Sequence, residues 1–81
     1  MIFTVGNHEY YSDETGYIVQ SQWVDFDGKW AYFDRNGARA YDCYVESKTK
    51  KGYYYCIDGT GYWEPALDTP NPDLISFRVV I

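Results

Sequence analysis

The sequence predicts an all-β chain of stacked β-hairpin repeats, a short solenoid-like array with N- and C-terminal capping strands. Three observations predict it. Aromatic residues supply 21% of the 81 positions while leucine occurs only at Leu67 and Leu74, a composition that suits pleated strands and not helical heptads. An octet of aromatic residues followed by Asp-x-x-Gly occurs three times. Asp27-Gly28 lies between two strand-forming runs, the strongest short-range hairpin signal a sequence offers. A chain of this length makes one domain and buries roughly 60 to 65% of its unfolded surface. Its core must therefore come from rings, which bury roughly 150 to 250 Å² each.

Taken in chain order, Met1 to Val5 reads as a short apolar strand ahead of the repeats. The octets are Glu9-Tyr10-Tyr11-Ser12-Asp13-Glu14-Thr15-Gly16, Trp30-Ala31-Tyr32-Phe33-Asp34-Arg35-Asn36-Gly37 and Tyr54-Tyr55-Cys56-Ile57-Asp58-Gly59-Thr60-Gly61, so the repeats occupy 9–63. Each octet reads as the second strand of a hairpin running into a tight turn, where Asp can accept from its own backbone two residues on and Gly accepts positive φ. The middle hairpin pairs Gln22-Trp23-Val24-Asp25-Phe26 with Lys29-Trp30-Ala31-Tyr32-Phe33. The third runs from Tyr41 to Ile57 with its turn near Thr49-Lys50 and is expected to set Val45 opposite Tyr54, Tyr44 opposite Tyr55 and Cys43 opposite Cys56. That pairing leaves two readings of the thiols open, a cross-strand disulfide or a pair of packed free cysteines. Residues 64–73 carry three prolines, Pro65, Pro70 and Pro72, and read as a connector too broken for helix. Residues 74–81 alternate, with Ile75, Phe77, Val79 and Ile81 on one face, as a terminal strand that caps the stack and pairs with Met1 to Val5.

Composition and charge narrow the function. The net charge is −5, and with Lys48, Lys50 and Lys51 gathered in one turn the remaining chain is more acidic still, which excludes a phosphate-tracking nucleic-acid binder. Such a field suits a cationic ligand or a basic protein surface. Cys43 and Cys56 lack metal-ligand spacing and His8 is the single histidine, so no metal and no cofactor is expected. Asp25-x-Asp27-Gly28 opens like a calcium loop but lacks the later bidentate glutamate, and reads as a turn. His8-Glu9 has no nucleophile beside it, and neither a phosphate loop nor a paired-carboxylate cleft appears, so the chain reads as a non-enzyme. With no secretory signal and no apolar run of about 18 residues, it is expected to be cytoplasmic if complete, or extracellular or wall-associated if a fragment, with no membrane partner.

The segment Gly28-Lys29-Trp30-Ala31-Tyr32-Phe33-Asp34-Arg35-Asn36-Gly37-Ala38, preceded by Gln22-Trp23-Val24, resembles the repeat of cell-wall-binding (choline- and glucan-binding) proteins. The resemblance spans Glu9 to about Trp63. It implies hairpins stacked as a solenoid, with aromatic cages between consecutive hairpins that bind trimethylammonium groups or sugars. Carried over by position, Trp23 and Trp30 would supply two cage rings and Tyr54 or Tyr55 a third. A second cage would use Tyr44, Tyr54 and Tyr62 or Trp63. The first unit departs from the pattern with Glu9 at an aromatic position, and the third with Cys56 at a tyrosine. The partner implied is a cell-wall polymer or a choline-like ligand.

Two readings of the rings remain open, since Trp23 and Trp30 could equally serve as core. A different class of function is also compatible with the charge: a small acidic cytoplasmic inhibitor, of phage or mobile-element type, that blocks a basic protein surface. Its contact residues would be Asp13, Glu14, Asp25, Asp27, Asp34 and Asp42, with exposed tyrosines as anchors.

Overall fold

A computed structural model describes all 81 residues. Three antiparallel hairpins follow one another. Strand β1 (Ile2–Val5) pairs with β2 (His8–Tyr11), β3 (Gln22–Phe26) with β4 (Lys29–Phe33), and β5 (Cys43–Glu46) with β6 (Tyr54–Ile57). The middle hairpin turns on Asp27 and Gly28, both at positive φ (56° and 89°), the geometry whose twist matches that of the flanking strands. Asp25 fastens that turn by accepting from the Gly28 N–H at 2.6 Å. A last strand, β7 (Arg78–Val80), lies parallel to β5 on its free edge.

Three expectations are corrected here. Met1 to Val5 is not a separate cap paired with the terminal strand. It forms the first half of the first hairpin, with Ile2 opposite Tyr11 and Val5 opposite His8. The terminal strand goes to β5 because the connector crosses the outside of β6, where Thr69 and Tyr54 exchange backbone bonds of 3.0 and 2.9 Å, and so delivers the chain end to the third hairpin. That strand is also shorter than its alternation suggests. Asp73 accepts from the Ile75 and Ser76 N–H groups, winding Leu74 to Ser76 into a turn that leaves Ile75 wholly exposed, and Val80 rather than Val79 packs on the core. The connector itself contains one 3₁₀ turn, Pro65–Leu67, with proline at its start where no N–H is needed.

The third correction concerns register. Cys43 lies opposite Ile57, Tyr44 opposite Cys56, Val45 opposite Tyr55 and Glu46 opposite Tyr54. This is one residue away from the pairing read from the sequence, and a one-residue slip moves every side chain to the other face. The two cysteines thus sit on adjacent pairs and opposite faces, as free buried thiols.

One turn repeats the same backbone bonding three times. The backbone N–H of Asp13, Asp34 and Asp58 donates to the carbonyl of Tyr17, Ala38 and Tyr62, and the N–H of Gly16, Gly37 and Gly61 returns to the Asp carbonyl. The Asp Oδ1 accepts from the residue two on, Thr15, Asn36 and Thr60, at 2.9 Å in each case. Hydroxyl donation from Thr15 and Thr60 adds to this and holds the Asp13 and Asp58 carboxyls below their ordinary value. After each turn the chain folds back, giving the bridges Ser12 to Ile18, Phe33 to Arg39 and Ile57 to Trp63. The returning segment then ties one hairpin to the previous one: Arg39 N–H donates to Glu9 O at 2.8 Å, and Trp63 N–H to Trp30 O at 2.7 Å.

The middle hairpin has a core on each face. Tyr32 packs with Ala40, Cys43, Val45 and Ile57 toward the third hairpin, while Ala31 and Phe33 pack with Val19 and the ring of Tyr11 toward the first. At the first junction Arg39, 9% exposed, pairs with Glu9 at 3.2 Å, donates twice to the Gly61 carbonyl at 3.3 Å, and lies over the Tyr62 ring at 4.6 Å. Tyr41 also donates to Glu9, and burial followed by that carboxylate raises its phenol above the ordinary range.

Two outcomes follow. Gly61 sits at φ +84° with Tyr41 2.5 Å and Arg39 2.8 Å from where a Cβ would stand, whereas Gly16, at φ +87°, has open space around it. Gly61→Ala is expected to cost about 3 kcal/mol in urea unfolding, conformational strain plus overpacking, and Gly16→Ala about 1 kcal/mol. Equal costs would refute the close packing at Gly61. Burial pushes the Cys43 thiol up to about 11 and raises Cys56 as well. Both thiols should therefore resist Ellman's reagent in the native protein at pH 8 and react together on unfolding.

Candidate ligand-binding site

Strand alternation decides which rings meet. Paired residues share a face, as do residues two apart, so Trp23, Tyr32, Asp25 and Trp30 occupy one face of the middle hairpin. On the third hairpin the observed register puts Tyr55 on the face of Val45, Cys43 and Ile57, and Tyr54 on the opposite face with Tyr44. The return segment after β6 adds Trp63, placed by its backbone bond to Trp30 and its bridge to Ile57.

These four residues, Trp23, Trp30, Tyr55 and Trp63, line a cleft of about 260 Å³ between the middle and third hairpins. Trp23 and Tyr55 meet at 5.7 Å with their planes at 89°, and Tyr55 and Trp63 at 5.9 Å and 87°. Trp23 and Trp63 are 6.4 Å apart at 67°. Edge-to-face contacts of this kind are favourable in themselves. Tyr32 backs Trp23 at 5.1 Å from the core side, and Trp30, 38% exposed, completes the lining at the mouth.

The indole N–H of Trp63 donates to both oxygens of Asp68, at 2.9 and 3.0 Å, and Asp68 Oδ1 also accepts from the Cys56 backbone N–H at 2.9 Å. Burial first, and the Asp68 charge second, push the Cys56 thiol up. Sequence reasoning missed Asp68, which stands in the connector outside the repeats. The only available signal was an acid shortly after an aromatic residue in a proline-marked stretch.

Of the residues singled out in the sequence, Trp23, Trp30, Tyr55 and Trp63 are brought together, and Tyr44 and Tyr54 are not among them. Tyr44 is buried against Tyr54 at 6.2 Å and Phe77 at 5.6 Å, and its hydroxyl accepts from the Asp73 N–H. The chain end thus closes over that pair. Tyr62 lies toward the first junction, under Arg39 and near Lys29. The acids weighed for a basic partner are distributed over separate turns. Asp13, Asp25 and Asp34 accept turn N–H groups, Asp27 and Asp42 occupy positive-φ positions, and Glu14 is exposed beside Asp13.

The same bonding repeats show what stands at the equivalent places of the first junction. Ile2 takes the position of Trp23, Glu9 that of Trp30 and Arg39 that of Trp63. The Glu9 to Arg39 ion pair occupies that junction where the second has its cleft.

No helix of the structure is long and apolar enough to cross a membrane. No family profile and no characterised protein sequence matches the chain. Solved structures do. The choline binding domain of Spr1274 in Streptococcus pneumoniae superposes with a TM-score of 0.65, covering 78% of this chain and 80% of its own, at 19% identity. The modular Cpl-1 endolysin complexed with a peptidoglycan analogue reaches 0.66 over 79% of this chain at 30% identity, and the mutant form of that complex does the same. This chain spans 18% of the endolysin's length. Repeated turns, stacked hairpins and these superpositions together show that the chain adopts the choline-binding repeat fold.

Proposed function

We propose that this protein is a non-enzymatic binding module that takes a quaternary ammonium group, of the choline type borne by cell-wall polymers, into the cleft of Trp23, Trp30, Tyr55 and Trp63. The observation that carries the reading is the lining: three indoles and one phenol ring, with no charged or amide side chain among them. A trimethylammonium group has no hydrogen-bond donor or acceptor to satisfy and is attracted to ring faces, at about 0.5 to 2 kcal/mol per good contact. A sugar needs several partners for its hydroxyl groups, and beyond its ring faces this lining offers only the indole N–H groups of Trp23 and Trp30 and the Tyr55 hydroxyl, which already meets Ser47 at 3.3 Å. The net charge of −5 adds a long-range attraction for cations. The superposition on a choline binding domain supports the same ligand class.

Choline titration followed by tryptophan fluorescence tests it. A saturable change is expected, with Trp30→Ala weakening affinity by about tenfold or more while the fold is kept, because that ring is the exposed wall. No response up to tens of millimolar choline, together with no retention on choline-bearing walls, would overturn the reading. The adjacent tyrosines give a sharper contrast. Tyr55→Ala should abolish the response, and Tyr54→Ala, altered on the opposite face, should titrate like the wild type.

A further inference from the structure

An indole carries a single donor, and its N–H seeks an acceptor when the ring is partly buried. For Trp63 that acceptor is the Asp68 carboxylate, which receives it with both oxygens while holding the Cys56 backbone at the same time. Asp68 is itself placed by the 3₁₀ turn Pro65–Leu67, donating its own N–H to the Pro65 carbonyl at 3.2 Å. Trp63 is thus held by its backbone on Trp30, by ring contacts with Trp23 and Tyr55, and by an anion at its polar edge. No repeat unit contributes that anion. It comes from the connector.

We propose that Asp68 is the positioning and specificity-determining residue of the cleft, setting the Trp63 ring and biasing the site toward cations over uncharged ligands of the same shape. Resting on the reading of the cleft as a quaternary ammonium site, the argument has two parts. A doubly accepted N–H restrains the indole about its side-chain torsions, so the wall is formed before ligand arrives. A charge-assisted bond from N–H to carboxylate also leaves more electron density on the ring, and the attraction of a cation to a ring face grows with that density. The anion's own field acts in the same direction.

The test uses choline and its uncharged isostere 3,3-dimethylbutan-1-ol, in which a tert-butyl group replaces trimethylammonium, with the full chain as wild type, Asp68→Asn and Asp68→Ala. Asn keeps an acceptor for Trp63 Nε1 and removes the charge. Asp68→Asn is expected to bind the isostere as the wild type does and to lose about five- to tenfold in choline affinity. Asp68→Ala should weaken both ligands. The Trp63 indole N–H resonance in the free protein supplies a second readout, expected downfield and protected from exchange in the wild type, shifted upfield in Asp68→Asn and rapidly exchanging in Asp68→Ala. An unchanged choline-to-isostere ratio in Asp68→Asn overturns the selectivity role, and an unmoved indole resonance overturns the positioning role. Should the wild type bind neither ligand, the cleft reading and the selectivity fall together, and the indole resonance still decides whether Asp68 holds Trp63. That resonance in the wild type also decides positioning if Asp68→Asn fails to fold.

Discussion

The Asp-x-x-Gly turn is the constraint on which the rest of the structure depends. Each copy closes the same short ring of backbone bonds, with an Asp side chain fastening it from within and a glycine at φ between +84° and +87° allowing the chain to double back. Doubling back brings the following segment against the end of its own strand and, a residue later, against the preceding hairpin. The bonds from Arg39 to Glu9 and from Trp63 to Trp30 are the result. A hairpin alone is marginal in water, and three hairpins with few aliphatic residues have little apolar surface to share. Interlocking each unit with the previous one through main-chain bonds lets side chains vary at the junctions without loss of the stack.

That freedom is visible in what fills equivalent positions. At the first junction an arginine and a glutamate pair across the gap, with tyrosine rings and a carbonyl taking up the remaining guanidinium interactions. Burying such a pair requires that its polar atoms be met, and here each guanidinium nitrogen has an acceptor, Glu9 for one and the Gly61 carbonyl for the other two. At the second junction the same places hold tryptophans, and a cleft results. Beyond the third hairpin the connector and terminal strand cover Tyr44 and Tyr54. One scaffold thus gives a locked junction and an open one, which differ in their side chains, and an end capped by the connector and terminal strand.

Burial of the strand faces sets a second condition on the cleft. Tyr32 belongs to the core and backs Trp23, which packs on that core while lining the cleft, and Trp30 lines the cleft from outside. The cleft is therefore a continuation of the core to the surface. Its rigidity comes from the same contacts that hold the second and third hairpins together.

Much of this was legible in the amino-acid sequence. Recurrence of aromatic residues ahead of Asp-x-x-Gly identified the turns, because Asp and Gly are demanded there by local geometry, and Asp27-Gly28 identified the middle hairpin for the same reason. These are interactions over a few residues, and a few residues suffice to specify them. Pairing of the third hairpin was not legible, since its long turn through Ser47 to Gly52 leaves the register to packing, and that single-residue choice put Tyr55 rather than Tyr54 on the face of Val45 and Cys43 and separated Cys43 from Cys56. Nor was the partner of the last strand, for strand pairing over long separation depends on where the chain is carried, whereas the first strand pairs locally across the two-residue turn Gly6-Asn7, a signal the sequence does carry. Asp68 could join Trp63 only once the connector had crossed β6. The sequence by itself determined the repeated turn and the inventory of rings; the tertiary structure alone decided which rings face one another, because facing is set by register and stacking, which no local run of residues contains.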